Sequence, residues 1–386
     1  MTTKLILLGA GKIGDAILNL LSHTGDYVLT VADRDPQRLE YVKHAGFPNV
    51  TTILADISHA PTVTKLISGH DVTLSACPYF LTPVIAAAAK AAHSHYFDLT
   101  EDVESTRFVK SLALDSSTAF VPQCGLAPGF ISIVANDVAS RFEQLHDVKM
   151  RVGALPTFPS NALKYNLTWS TDGLINEYCN PCEAIVDGVL RETSPLEELE
   201  HFSLDGVDYE AFNTSGGLGT LCESLRDRVQ NLDYKTVRYP GHRDIIKILV
   251  RDLQLGKLER RPILKEVLET SIPITKQDVV LTFVSVSGMR DGRLEQETYA
   301  QKTYSQQVNG QLLSAIQLTT AAGICAMVDL VVTGVLPQSG FVRQEQVTLA
   351  DFLANRFGQF YAGHAPAHGG FAPASNTDFN KLKAVA

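Results

Sequence analysis

Three groups of residues in this 386-residue chain have the types and spacing to do chemistry. The first is the GxGxxG run Gly9-Ala10-Gly11-Lys12-Ile13-Gly14, followed by Asp33. The second is a set of carboxylates, Asp98, Glu101 and Asp102, with Cys124 further along. The third pairs Thr214-Ser215-Gly216-Gly217 with the segment TVRYPGH at 236–242, which carries Arg238 and His242.

The glycine run suits a dinucleotide. Gly9 permits a tight turn, Gly11 lets the backbone approach a pyrophosphate, and Gly14 lets helix and strand pack closely. The N–H groups of Lys12, Ile13 and their neighbours at the helix start supply anion donors and a positive dipole end. Asp33 is placed to accept the adenine ribose hydroxyls and to repel a 2′-phosphate, which predicts NAD. Arg34 beside it can hold a 2′-phosphate or stack on adenine, which keeps NADP open.

The other two groups suit an amine substrate. A protonated amine cannot release hydride from its carbon, so a base is required. A carboxylate buried beside an apolar nicotinamide has a raised pKa suited to proton exchange. Asp98 is the first candidate by position, Glu101 follows, Asp102 reads also as a helix cap, and Cys124 is a small soft neighbour for the ring. Thr214, Ser215 and Gly216 can form an anion nest for a carboxylate. Arg238 can clamp that carboxylate through two donors, or form a structural salt bridge. His242 can bind substrate or relay a proton. Tyr165, Asn166 and Trp169, the single tryptophan, can line a pocket, although Trp169 and Tyr239 read equally as core. Glu177 reads either as an ammonium ligand or as a solvated helix residue.

These groups need elements to position them. KLILL (4–8) is a continuous apolar run, as in a parallel strand buried on both faces. A helix pattern and a second strand, YVLTVAD, follow. Strand-like runs recur at 50–57, 71–78, 95–100 and 118–125, so the cofactor cleft at their C-terminal ends should include Asp56, Ile57, Ala76, Cys77 and Tyr79. After Pro128-Gly129 the text changes. DVKMRVGALP from 147 alternates like a half-exposed antiparallel strand, further strands are expected at 234–241, 278–288 and 296–306, and RDGR (290–293) reads as a hairpin turn. The apolar stretch 314–334 reads as a buried helix returning to the first domain. The expected fold is α/β: a Rossmann domain (1–127), an α+β substrate and dimerisation domain with a mixed or antiparallel sheet (128–312), returning helices (313–360) and a flexible tail (361–386).

Composition narrows the function. The net charge of −9, from 33 basic and 42 acidic residues, argues against nucleic-acid binding. No uninterrupted 18-residue apolar run suggests a membrane span. The six cysteines read as reduced thiols of a cytoplasmic protein. The single CxxC, Cys179 to Cys182, lacks a second ligand pair, so no metal site is expected.

Taken in order, GAGKIG, ACPYFLTPVIAAA, YFDLTEDV, CGLAPGF, YNLTWSTDGLINEY, FNTSGGLGTL and TVRYPGH resemble the saccharopine dehydrogenase-like family over about residues 3–340. Within it they are most similar to bacterial L-lysine 6-dehydrogenases, while CPYF looks more like the saccharopine reductases. The resemblance implies NAD(P)-dependent oxidation at a C–N bond of a lysine-type amino acid, in a homodimer. Saccharopine formation or cleavage, and a polyamine synthase of the homospermidine or carboxynorspermidine type, are the alternatives.

Overall fold

The structure is a computed structural model and describes residues 2–362; the expected tail at 361–386 lies, beyond Ala362, outside the described residues. The N-terminal part alternates strands and helices: β1 (Thr3–Leu8), α1 (Lys12–Ser22), β2 (Tyr27–Asp33), α2 (Pro36–His44), β3 (Val50–Leu54), α3 (Ala60–Ile67), β4 (Val72–Ser75), α4 (Thr82–Ala91), β5 (His95–Asp98), α5 (Val103–Ala113) and β6 (Ala119–Val121). These strands pair in parallel in the order β6-β5-β4-β1-β2-β3. Leu5 to Leu8 are wholly buried because helices cover both faces of the sheet. The observed strands stop short of the runs read from sequence, at Leu54 rather than 57 and at Ser75 rather than 78. The extra residues leave the ladder to form the loops at the strand C-terminal ends, where α/β sheets bind ligands.

After α6 (Phe130–Ala139) the chain builds a mixed sheet. Its strands are β7 (Gln144–Pro156), β8 (Cys182–Val186), β9 (Val189–Thr193), β10 (Glu200–Leu204), β11 (Val207–Asn213), β12 (Val229–Arg238), β13 (Asp278–Arg290) and β14 (Arg293–Tyr304). The path runs β10-β11-β12-β7-β13-β14, with β8 and β9 beside β12. The central β7 is parallel to β12 and antiparallel to β13. The expectation of a half-exposed β7 holds only to Lys149; every residue from Met150 to Pro156 is buried, because both faces of that half are covered. The RDGR turn is a two-residue hairpin: Arg290 pairs with Arg293, and Asp291 and Gly292 take φ of 52° and 71°. That geometry matches the right-handed twist of the flanking strands. Helices α7 (Thr171–Cys179), α8 (Leu221–Ser224), α9 (His242–Lys247) and α10 (Arg261–Ser271) accompany this sheet.

The short hairpin β15 (Gln306–Val308) and β16 (Gln311–Leu313) leads into α11 (Ala315–Val332), which opens on a capping box between Ser314 and Gln317. This helix is long and apolar enough to cross a membrane, yet 83% of it is buried inside the protein, against α1. Buried Asp329 accepts from Tyr27 Oη at 2.8 Å and from Arg356, tying it to the first sheet. The two-residue strand β17 (Gly340–Phe341) then adds to the edge of that sheet by pairing with β6, and α12 (Leu349–Ala354) follows. The first sheet is therefore completed by residues that follow the second.

Candidate active site

The cofactor half is built by crowding. A Cβ on Gly14 would lie 2.2 Å from the Gly9 carbonyl oxygen, and one on Gly9, at φ +102°, would lie 2.8 Å from the Ala76 oxygen. Gly11 is the opposite case: a Cβ there would meet nothing within 4 Å, and no side chain caps α1. The first N–H groups of α1, from Lys12 and Ile13 onward, thus face open space with no side chain in competition. Asp33 Oδ2 accepts from Ala10 N at 2.7 Å and Oδ1 from Asp35 N at 2.9 Å. Each oxygen keeps one further acceptor site for a ribose hydroxyl. These residues fit a dinucleotide. Arg38, not singled out from the sequence, braces the loop by donating to the Ala10 carbonyl and pairing with Asp15.

Two expected cofactor residues stand apart from the cavity that the others line. Asp56 is an exposed turn acid that accepts from Ser58 N and Oγ, with Arg34 acting on it through space. Ile57 is buried in the core with Ile6, Leu8 and Ala32, because the turn after β3 points it inward. Ile13, Ala76, Cys77 and Tyr79 do line a cavity of about 240 Å³ that continues from the glycine loop.

That cavity lies between the two sheets. The strand-end segments Leu99–Glu101 and Gly125–Pro128 form its first-domain wall. CGLAPG was legible as a motif but not as a lining. It folds back on itself so tightly that a Cβ on Gly129 would lie 2.1 Å from the Gly125 oxygen, and this presents its backbone to the cavity. The opposite wall is one face of the mixed sheet: Val152 and Ala154 from β7, and Tyr234, Thr236 and Arg238 from β12, alternating with the two-residue period of a strand. Trp169, Gly173 and Glu177 approach at four-residue spacing, one face of α7 and its entry. Glu177, read from the sequence as either an ammonium ligand or a solvated helix residue, is thus buried on the cavity wall.

Glu177 and Arg238 are buried and open to the cavity, and Glu101 is half-buried beside them. Glu177 is 6% exposed, and burial pushes its pKa up to about 8 against the pull of Arg238. Burial likewise pushes Glu101 up to about 7, and the nearby Asp102 charge adds to this. Arg238 is 3% exposed and forms no ion pair among the described residues. Its Nε donates to Tyr178 Oη at 3.1 Å and its Nη1 to the Val237 carbonyl at 2.9 Å, while the Tyr165 ring lies 4.9 Å from its Cζ. Nη2 has no partner among the described residues. Asp172, at the mouth, is held by Lys265 at 2.7 Å.

Other expected site residues stand behind these walls. Asp98 has both oxygens occupied, by Thr100 N, Gln123 N and Tyr96 Oη, and so it shapes the strand end instead of facing the cavity. Burial raises its pKa to about 6. Cys124 is buried, with its thiol on the Val121 carbonyl and Gln344 donating to it. Tyr165 and Asn166 are buried behind Arg238 and Trp169, and they do not line the cavity. His242 is 1% exposed: its Nδ1 meets the Leu163 carbonyl at 2.9 Å and its Nε2 meets Tyr178 Oη at 3.0 Å. Burial, with the Arg238 charge, holds its pKa down at about 3, so it is neutral and steadies Tyr178.

The Thr214–Gly217 loop is not an open nest. Thr214 Oγ1 bonds Thr236 Oγ1, and the Ser215 N and Oγ donate to the carbonyls of Glu177 and Asn176. A Cβ on Gly216 would lie 2.4 Å from the Glu101 oxygen, and one on Gly217 would lie 2.2 Å from the Tyr234 ring. The loop's glycines therefore let Glu101 and Tyr234 close on the cavity. It packs behind the cavity wall, one layer removed from the cavity itself.

Two family descriptions match this chain: the saccharopine dehydrogenase NADP binding domain over residues 5–120 and the saccharopine dehydrogenase C-terminal domain over 125–359. Saccharopine dehydrogenase [NADP(+), L-glutamate-forming] of Schizosaccharomyces pombe is 22% identical over 260 residues, 64% of this chain and 57% of that protein. The mitochondrial alpha-aminoadipic semialdehyde synthase of Mus musculus is 20% identical over 303 residues, 74% of this chain and 31% of that protein. The chain thus spans about half or less of the length of these curated relatives. Apo saccharopine dehydrogenase (L-Glu forming) from Saccharomyces cerevisiae has the same fold, with a TM-score of 0.72 at 17% identity over 89% of this chain and 94% of that one. With a family description covering more than half of its length, on the fold and cavity just described, the chain belongs to the saccharopine dehydrogenase family.

Proposed function

We propose that this protein is an NAD(P)-dependent oxidoreductase that deaminates a lysine-type amino acid at its distal amine. The observation that carries this reading is the charge of the cavity. Arg238 is its single cationic side chain among the described residues, against the open carboxylates Glu101 and Glu177 and the paired Asp172. One carboxylate and two amines match that balance. Saccharopine, with three carboxylates, would leave two of them without a cationic partner, which is costly in a buried site.

Arg238 Nη2 is the donor for the α-carboxylate. Glu177, within Coulombic reach of Arg238, faces the α-ammonium. Glu101, at the β5 end on the dinucleotide side, takes the proton from the distal amine. A bound nicotinamide supplies the hydride acceptor. Ile13, Ala76, Leu126 and Trp169 supply the apolar surroundings for hydride transfer from the amine-bearing carbon, and water then hydrolyses the resulting iminium to release ammonia. The Asp33 carboxylate favours NAD over NADP by charge.

The family relationship supports a second reading, saccharopine oxidation, since that substrate is named in the relatives. Purified protein incubated with NAD or NADP and lysine, saccharopine or putrescine separates them through absorbance at 340 nm. The first reading expects lysine to be the best substrate. Turnover of saccharopine alone would replace it with the second, and turnover of putrescine alone with a polyamine reaction.

A further inference from the structure

A second cavity, of about 350 Å³, lies between α5 of the first domain and the β8–β9 hairpin and α8 of the second. Thr106, Arg107 and Lys110 line one side from a single face of α5, and Glu183, Glu223 and Arg226 line the other. Arg107 pairs with Glu183 at 2.8 Å. Glu223 is shared by Lys110 at 2.5 Å and Arg343 at 3.3 Å, so one carboxylate serves two cations. Arg226 has no ion-pair partner among the described residues. Glu345 lies behind Thr220, where the hydroxyls of Thr220 and Ser224 donate to it, and it does not line the cavity.

The floor is Gln123. It is 4% exposed, its side-chain amide has no hydrogen-bond partner among the described residues, and its backbone takes φ +64°. A non-glycine residue in that region is strained, and such strain concentrates where a side chain must be aimed. Here it aims an open amide at the floor of a cavity whose lining cations are underpaired. We propose that this interdomain cavity is a binding site for a small anion, a carboxylate or phosphate, held by Arg226 and Lys110 with Gln123 as the uncharged donor. The site abuts the catalytic cavity: Gln123 lines one and Gly125 the other, and Val103 lines one and Glu101 the other. An anion clasped there bridges the domains and acts on Glu101 through the 98–103 segment.

Calorimetric titration of the full chain, saturated with dinucleotide at constant ionic strength, tests this with inorganic phosphate and with glutarate. The expected result is saturable one-site binding of at least one probe. Binding should weaken at least tenfold in Arg226→Ala and in Lys110→Ala, and survive in Arg238→Ala, which removes the cation of the catalytic cavity. Binding of phosphate alone identifies a phosphate-bearing ligand, and binding of glutarate alone a carboxylate ligand. Absence of saturable binding with both probes overturns the proposal, as does wild-type affinity in Arg226→Ala. Arg226 is exposed, so its replacement leaves the fold intact, and an unchanged melting temperature checks this.

Discussion

Arg238 and Glu177 line one buried cavity and act on each other through space, yet no ion pair joins them. Tyr178 and the Val237 carbonyl take two of the guanidinium's donors from behind, which leaves both charges open toward the cavity. A zwitterion can then satisfy both at once.

Arg238→Ala should therefore raise KM for the amino acid by roughly a hundredfold, the scale of losing one partner of a buried charge pair. The KM for dinucleotide should hold. Arg238→Lys should recover little, because an ammonium cannot reproduce the fork that Tyr178 and Val237 orient. Steady-state kinetics with each substrate varied in turn would check this, and a parallel rise in dinucleotide KM would contradict it.

Glu101 and Glu177 place the acidic limb of activity unusually high. With carboxyls pushed up to about 7 and about 8, deprotonation and hence kcat/KM should rise with pH through that window. Glu101→Gln should cost roughly 10²–10⁴-fold in kcat and remove the limb it controls. Stability should move the opposite way. Between 4.5 and about 8 the folded Glu177 holds a proton that the unfolded chain has released, so stability falls as pH rises across that interval. Glu177→Gln should melt higher than the parent at about pH 9 and together with it below about pH 4.

Tyr178 and His242 form a relay with one polarity. His242 Nδ1 faces a carbonyl and so carries the proton, Nε2 accepts from Tyr178 Oη, and Tyr178 accepts from Arg238 Nε. Tyr178→Phe should raise KM for lysine about tenfold, the worth of one hydrogen bond to a charged group, with kcat little changed. A diamine without a carboxylate should be indifferent to the change. Equal losses on both substrates would mark a merely structural role.

Gly217→Ala tests the packing role of the loop. Its methyl would overlap the Tyr234 ring at 2.2 Å, inside the wall that carries Thr236 and Arg238. Overpacking of this kind costs typically about 1–3 kcal/mol, read as a lower melting temperature together with a lower kcat/KM. Gly206→Ala, at a turn away from the cavity where φ is +75°, should also lower the melting temperature but leave kcat/KM unchanged.

Asp33→Asn should weaken NAD and narrow the gap to NADP, since the repelling charge is lost while the contact to Ala10 N can persist. The ratio of kcat/KM values for the two dinucleotides is the measure. An unchanged ratio would assign selectivity to Arg34 or Arg38.

The dinucleotide half was legible because it is local. Strand, glycines, helix and acid lie within the first 33 residues, and their spacing alone dictates the turn, the close packing of Gly14 and the open N–H groups at Gly11. The same locality made α11 and the RDGR hairpin readable. The substrate half depends on contacts between distant segments. Asp98 and Glu101 are three residues apart, and only the packing of Thr100 and Gln123 around Asp98 turns it away and leaves Glu101 facing the cavity. His242 and Arg238 share a motif, yet the sheet puts one on the cavity wall and the other behind it. TSGGLGT has the composition of an anion loop, and what distinguishes it from one is that Tyr234 and the Glu101 backbone already occupy the space its glycines leave. Sequence by itself determined which residues could do the chemistry; burial and the partners already bound to each donor and acceptor decided which of them remain open to a substrate.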